Sequence, residues 1–356
     1  MAASAIAVLL AACPRPAPEE AAPPPPAGWR VGSAEHIGLW YHGLAIVADT
    51  TVPPGATLPR YAPGYADSIA ALKRRRGIEP TALDRRAADF RTIFRDESYR
   101  GIEFVPLYFQ SQDALFNGIA LWRAAGGNPR RAGSVEEARL IAFLSSVFPR
   151  AAQRQAIAEW AEALADESRS FYHAYWEEQA PALAASAAAV QREWGELRPE
   201  LGNFLEYMRL ENGEIFLVPA LGIEGRFVSS GLPVPRSAIM TAAPDRAEDA
   251  VLAFVHELLY PLVGDAIREY IAPAKIRELG EDALRERAAV RGGALLLDRA
   301  APERAGRYRR LYLRSIGMAA PTEPAALDAA FRDAFPLPPE LERGLEEAVD
   351  RSLAGI

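Results

Sequence analysis

Long runs of helical periodicity set what this chain can fold into. From about residue 64 to 200, and again from about 245 onward, apolar side chains return with the spacing of a helix face, and prolines punctuate the runs. Ser134-Val-Glu-Glu137 reads as a capping box ahead of the apolar run Ala138–Phe148, which Pro149 stops. Ala151 to about Trp194 supplies one or two long helices, with a break expected at Pro181. Asp245-Arg-Ala-Glu248 can cap a helix that runs toward Tyr260. Further helices are expected near 282–299, 302–316, 324–334 and 339–353, with Pro302, Pro324 and Pro338-Pro339 in their first turns. Strand signals are few. His36–Asp49 is rich in β-formers and reads as one or two strands before the turn at Pro53-Pro54-Gly55. Glu214–Ile223 and Ala238–Ala242 read as two more. Strands and helices do not alternate regularly, so a doubly wound parallel sheet is not expected. The expected class is α+β, mostly helical, with a small mixed or antiparallel sheet.

Composition narrows the function. Half of the 356 residues are hydrophobic and 24% are charged, enough for a packed core. The net charge is −7, with no basic excess of the kind a nucleic-acid footprint needs. The glycines at Gly222, Gly225 and Gly231 match no nucleotide fingerprint, and Gly-x-Ser-x-Gly is absent. The single cysteine, Cys13, excludes an intrachain disulfide or a thiolate metal cluster built by one chain. No apolar run approaches the roughly 20 residues of a membrane-spanning helix.

The N-terminus carries its own signal. Residues 1–12 read as a signal peptide, with a short apolar stretch over 5–12 and small residues before Cys13. Leu10-Ala-Ala-Cys13 resembles the bacterial lipoprotein box. That resemblance implies cleavage before Cys13, diacylglyceryl attachment to its sulfur, and a place outside the cytoplasm on a bacterial membrane, periplasmic or surface-facing. Residues 13–29, with Pro23-Pro24-Pro25-Pro26, then form an extended stalk. Beyond it the expected organisation is a mainly helical region over 30–200, a second region over 201–320 and C-terminal helices over 321–356.

The most specific segment is Val251-Leu-Ala-Phe-Val-His256-Glu257-Leu-Leu-Tyr260. On a helix, positions 256 and 260 share a face and Glu257 lies beside them. His-Glu-x-x-His on one helix is the zincin motif, in which two histidines bind zinc and the glutamate activates water. Here Tyr260 replaces the second histidine. With two strand signals before it and an acidic helix after it, the segment resembles the glutamate-zincin branch of metallopeptidases, and an uncharacterised bacterial family often found in lipoproteins. The resemblance covers about residues 200–320. It implies a zincin-like core, zinc as cofactor, His256 and Tyr260 as ligands, Glu257 as general base and a glutamate on the next helix as third ligand. Glu286 is the choice, with Glu278 and Glu281 as rivals, and Gly292 and Gly293 would let helices pack closely beyond it. Tyr must ionise from a pKa near 10 to bind zinc strongly, and Pro261 ends or kinks the helix where the second ligand is needed. The expected function is therefore a metallopeptidase-related envelope lipoprotein with impaired or lost peptide hydrolysis. The alternative is a non-enzymatic binding or structural lipoprotein. Expected partners are the membrane, through the lipid, and a peptide or protein, with no nucleotide.

Other conspicuous residues take plainer readings. Lys73 to Arg76 reads as a solvated helix end. Phe171–Trp176 reads as buried aromatic packing, with His173 a lesser candidate ligand. Tyr308 and Tyr312, four apart, read as structural, with oxyanion support the lesser reading. Trp40-Tyr41-His42 is placed on a strand and assigned no chemistry.

Overall fold

The computed structural model describes residues 28–48, 58–228 and 246–355, and the backbone of 237–241. The expected signal segment, Cys13 and nearly all of the proline stalk lie outside the described residues. Fifteen α-helices and four short strands follow one another among the described residues. Strand β1 (Trp29–Gly32) leads into α1 (Glu35–Val47), α2 (Tyr65–Arg75), α3 (Ala82–Phe94), α4 (Gln112–Ala124), α5 (Val135–Val147), α6 (Ala151–Glu167), α7 (His173–Leu197) and α8 (Gly202–Tyr207). Strands β2 (Gly213–Leu217), β3 (Arg226–Val228) and β4 (Ser237–Thr241) come next. The chain finishes with α9 (Ala247–Leu258), α10 (Tyr260–Tyr270), α11 (Pro273–Leu279), α12 (Glu281–Ala300), α13 (Pro302–Ser315), α14 (Pro324–Ala334) and α15 (Pro339–Ala354). The class is mostly helical with a small sheet. Its order is β1-β2-β4-β3, with β1, β2 and β4 parallel and β3 antiparallel to β4.

Two hydrophobic cores organise these elements. The first gathers α1 to α6 and the 3₁₀ stretch Glu97–Tyr108 around Trp40, Trp122, Trp160 and Phe90. The second gathers α7 to α15 and two strands around Trp194, Phe254, Tyr308 and Tyr312. Helix α7 also holds β1 in place: Gln191 accepts a bond from Val31 N–H at 2.9 Å and donates one to Trp29 O at 3.2 Å. Trp29 and Trp194 both meet the Phe254 ring edge-on, at 4.9 and 4.6 Å between centroids, which clamps α9 against α7 and β1.

The structure corrects three readings. His36–Asp49 is not strand; α1 covers Glu35–Val47. Helix α1 is buried on nearly every face, so polar residues give it no helical stripe, and its aromatic and branched residues mimic a strand signal. Pro181 does not break its helix but lies inside α7. The joint in the long helical run is instead a single π turn, Ser168–Tyr172, between α6 and α7. Finally, Ala247–Tyr270 is long and apolar enough, by length and composition alone, to cross a bilayer, although 83% of that window is buried inside the protein. The charged residues Glu248, Asp249 and Glu257 hid that stretch from a search for an unbroken apolar run.

The capping residue Ser134 accepts from Glu137 N–H at 3.1 Å, while Glu137 reaches back to Gly133 N–H rather than to Ser134. Pro302, Pro324 and Pro339 stand in the first turns of α13, α14 and α15. Gly43 marks a close helix crossing in the first core: a Cβ there would lie 2.5 Å from Leu164 Cδ2 and 2.7 Å from the buried Trp160 ring. Gly43→Ala is therefore expected to destabilise the fold by about 1–3 kcal/mol, because α1 and α6 must move apart. Urea unfolding checks this, and an unchanged midpoint would mean the two helices do not cross so closely.

Candidate functional site

Helix α9 places His256 and Glu257 at the centre of the second core. Apolar residues surround them from Ala250 to Leu258, and all are buried. His256 is 0% exposed and Glu257 1%. Their side chains meet each other: His256 Nδ1 lies 3.1 Å from Glu257 Oε1. The other ring nitrogen, Nε2, has no hydrogen-bond partner among the described residues. Two phenol rings pack on the imidazole, Tyr260 at 5.2 Å and Tyr312 at 5.4 Å between centroids.

Tyr260 starts a new helix. Helix α9 ends at Leu258, Leu259 forms the joint, and Pro261 falls in the first turn of α10, where its missing N–H would be unused anyway. Burial raises the Tyr260 phenol well above its ordinary value, and Glu257, Glu224 and Glu286 add to the rise. Glu286 lies on α12 and is half-buried. Its carboxyl is raised to about 8, first by burial and then by Glu224. The rivals stand elsewhere. Glu278 pairs with Lys275 at 2.8 Å and Glu281 with Arg285 at 2.8 Å, both on the surface. Of the three glutamates, then, only Glu286 shares the surroundings of Tyr260. Gly292 lies under Leu259 and Val263, and Gly293 under the Tyr308 ring, so both glycines do admit close neighbours.

This donor set suits zinc poorly. The partnerless Nε2 is the kind of atom a metal would take. The other donors that the motif would supply, however, are a phenol that must lose its proton and one carboxyl, in place of a second imidazole. Among the described residues no group of three His, Cys, Asp or Glu could hold a metal ion. A hydrolytic zinc also needs an open position for water, and the imidazole has no exposed surface.

Tyr308 donates from Oη to Val290 O at 3.1 Å and stacks on Tyr312 at 4.5 Å, so both rings serve packing. His173 is exposed at the start of α7, on another part of the chain, and pairs with Glu35 at 2.8 Å. Phe171, Tyr172 and Tyr175 pack as neighbouring rings.

A second polar centre lies in the first core, where the sequence suggested no chemistry. His42, on the helix taken for a strand, is fully buried. Its Nε2 donates to Glu167 Oε1 at 2.8 Å, and its Nδ1 accepts from Tyr65 Oη at 3.0 Å. Lys73, expected on a solvated helix end, is 5% exposed instead. Its Nζ reaches the Glu167 carboxylate at 2.7 Å and both Asp84 oxygens at 2.9 and 3.0 Å. Thr81 donates to Glu167 as well, and caps α3. Burial lowers the His42 imidazole below its usual range against the pull of Glu167. Glu167 is held down to about 2: burial opposes ionisation, but the bonds from His42 and Lys73 outweigh it. The signal that could have found this centre is Lys73, a rare lysine in an arginine-rich chain.

A third polar centre joins the two cores. Arg226 at the start of β3 donates to Glu103 from Nε at 2.6 Å and from Nη2 at 3.2 Å, and both residues are buried. Tyr61 Oη donates to Glu103 Oε1 at 3.2 Å, and Arg60 approaches at 3.4 Å. These cations hold the Glu103 carboxyl below its ordinary value although burial works the other way. Comparison with family models, curated proteins and solved structures finds no match to this chain.

The His42 centre makes two predictions. Lys73→Met removes the cation from the buried Glu167 and from the partly exposed Asp84, and is expected to cost about 3–5 kcal/mol in a denaturant titration. The pH dependence follows from the directions above. A histidine with a lowered folded pKa binds fewer protons than its unfolded counterpart, whose value is 6.5, so its stabilisation is complete above that pH and declines below it. Glu167 adds a further loss as pH falls from 4.5 toward about 2. In a Glu286→Gln chain, which removes the opposing carboxyl raised to about 8, melting temperature is thus expected to be level above about pH 7 and to fall steadily below about pH 6. A level profile down to about pH 4 would contradict it.

Proposed function

We propose that this chain is a lipid-anchored protein of the bacterial envelope, built on a zincin-like core that has lost peptide hydrolysis and acts by binding a peptide or protein partner. One observation carries the loss of hydrolysis in this reading. The His256–Glu257 pair is walled off in the core, with a phenol at the position where the motif requires a second imidazole. A water-activating centre needs that pair beside solvent. The buried pair serves instead to organise α9, and Tyr260 and Tyr312 close the space above it. The remaining chemistry near the motif, Glu286, Glu224, Arg60 and Arg226, is that of recognition by charge and hydrogen bond. Anchoring through Cys13 and the proline stalk would hold this body a short distance from the membrane. One acyl chain anchors reversibly, and several anchor firmly.

Two measurements test the reading. Metal analysis of the purified chain is expected to find far less than one zinc per molecule, equal in the parent and in His256→Ala, with no cleavage of unstructured casein by either. Stoichiometric zinc that disappears in His256→Ala, together with cleavage, would restore the peptidase. Fractionation of a bacterial host expressing the chain is expected to place the parent with membranes and Cys13→Ser in the soluble extracytoplasmic fraction. Equal partition of both proteins would remove the anchor.

A further inference from the structure

One end of the first core concentrates arginines without acidic partners. From Arg123 to Arg154 the sequence holds six arginines and two glutamates, in a chain of net charge −7. Four of the six, Arg130, Arg131, Arg139 and Arg154, make no ion pair among the described residues. Arg123 is paired with Glu162 at 2.5 Å, and Arg150 lies close enough to Asp96 to act on its carboxyl. Glu137 turns back to the Gly133 N–H at 2.6 Å, and Glu136 is exposed. The turn from α4 to α5 gathers the unpaired cations. Gly126 and Gly127 both hold positive φ, at 64° and 75°. A Cβ on Gly126 would lie 3.7 Å from Arg131 Nη1, and one on Gly127 2.6 Å from Arg154 Nη1, so two guanidiniums lie against consecutive glycines. Arg154 also lies over the Trp122 ring at 6.0 Å, which packs its guanidinium but supplies no counter-charge. Arg130 precedes Arg131 in the 3₁₀ turn Pro129–Arg131 that leads toward α5. Val135 opens α5, and Arg139 follows one turn on along the same face. Val135 is 62% exposed, the most exposed large hydrophobic side chain among the described residues.

Shortage of acids is not general in this protein. Arg304 and Arg307 alone meet Glu193, Glu196, Glu248 and Asp249, from α7 and α9. At the α4–α5 turn the guanidiniums keep their donors for something outside the chain. A guanidinium is a planar fork that fits phosphate oxygens in pairs. One exposed cation gains little from one acid in water, but several on one surface add together against a bilayer of negative headgroups. We propose that this end of the first core, with Arg130, Arg131, Arg139, Arg154 and Val135, is a docking surface for anionic phospholipid. Headgroup phosphates supply the charge that the arginines lack within the protein, and the Val135 side chain enters the layer beneath them. A soluble polyanion would meet the cations but leave Val135 in water. The proposal deepens the reading of a tethered envelope protein and rests on it: a body held at a membrane by its N-terminus turns its basic end to the bilayer.

The test uses the full chain with Cys13→Ser in every arm, so that no lipid anchor contributes and an introduced thiol is the only one. Val135→Cys and Met318→Cys, each carrying an environment-sensitive fluorophore, compare this end with an exposed side chain beyond α13. On vesicles of phosphatidylcholine with phosphatidylglycerol the Val135→Cys probe is expected to brighten and the Met318→Cys probe to stay level. Both are expected to stay level on phosphatidylcholine alone. Cosedimentation reads the charge. A chain with Arg130→Gln, Arg131→Gln and Arg139→Gln is expected to bind the anionic vesicles about a hundredfold less tightly, the effect of three cations near a charged bilayer. Lysine at the same three positions is expected to restore binding, and added salt to release it. All three side chains are exposed, so the fold is expected to hold, which circular dichroism checks. Equal binding by the parent and the glutamine chain, equal binding to neutral and anionic vesicles, or a probe response at Met318→Cys alone would overturn the proposal. Capture by heparin with no response to vesicles would also overturn it, and would assign the patch to a soluble polyanion. The two readings fail separately, because fractionation of the Cys13 parent tests the anchor and these proteins lack it.

Discussion

The buried ion pair between Glu103 and Arg226 is the constraint on which the arrangement of the two cores depends. Glu103 belongs to the 3₁₀ stretch of the first core, and Arg226 opens β3 beside the second. Each charge alone would be costly in that position, and the fork of the guanidinium meets the carboxylate at two points. Tyr41 of α1 donates to the backbone carbonyl of Glu103 at 2.6 Å, which locks the acid in place from the other side. Such a pair adds little net stability over an apolar equivalent, but it fixes register, because no other alignment of the cores satisfies both charges. Arg60, Tyr61 and Glu224 then gather around a position already determined.

That same pair also sets the surroundings of the acidic residues near Tyr260. Glu224 and Glu286 face a region supplied with two arginines, and Glu286 also takes a backbone bond from Leu58. The His256 imidazole finds its own neighbour Glu257 and two aromatic rings. Against the His-Glu-x-x-His pattern the chain differs by a phenol in place of one imidazole, at Tyr260, and by the proline after it.

Much of this was legible in the sequence where a single local rule governs. The C-terminal helices were readable because proline at the first turn costs no hydrogen bond and apolar spacing was regular. The strand signals at Glu214–Ile223 and Ala238–Ala242 found β2 and β4, although β2 ends at Leu217, well short of Ile223. Helix α1 was not, because burial on all sides erases the polar stripe by which helices are recognised. The π turn after Glu167 has no composition of its own. The His42 centre was hidden for a different reason: its members lie at 42, 65, 73, 81, 84 and 167, and only tertiary packing brings them together. For the motif, the sequence placed His256 and Glu257 on one helix correctly but could not tell a groove from a core. Apolar flanks are required by both.

The joint at Leu259 decides between those two settings. Were α9 to continue unbroken, residue 260 would project one turn beyond His256 along the same face, as a second ligand must. Pro261 removes the N–H that would bond to the Glu257 carbonyl, and the helix restarts at Tyr260. The phenol ring can then lie edge-on to the imidazole instead of reaching past it. Tyr312, from α13, supplies a second ring next to the same imidazole. Two aromatic rings bury far more apolar surface than a metal-bound water would tolerate. Once they are packed there, exposing His256 would uncover the second core itself. The restart of the helix at Tyr260 and the closure of the second core over His256 are thus one arrangement.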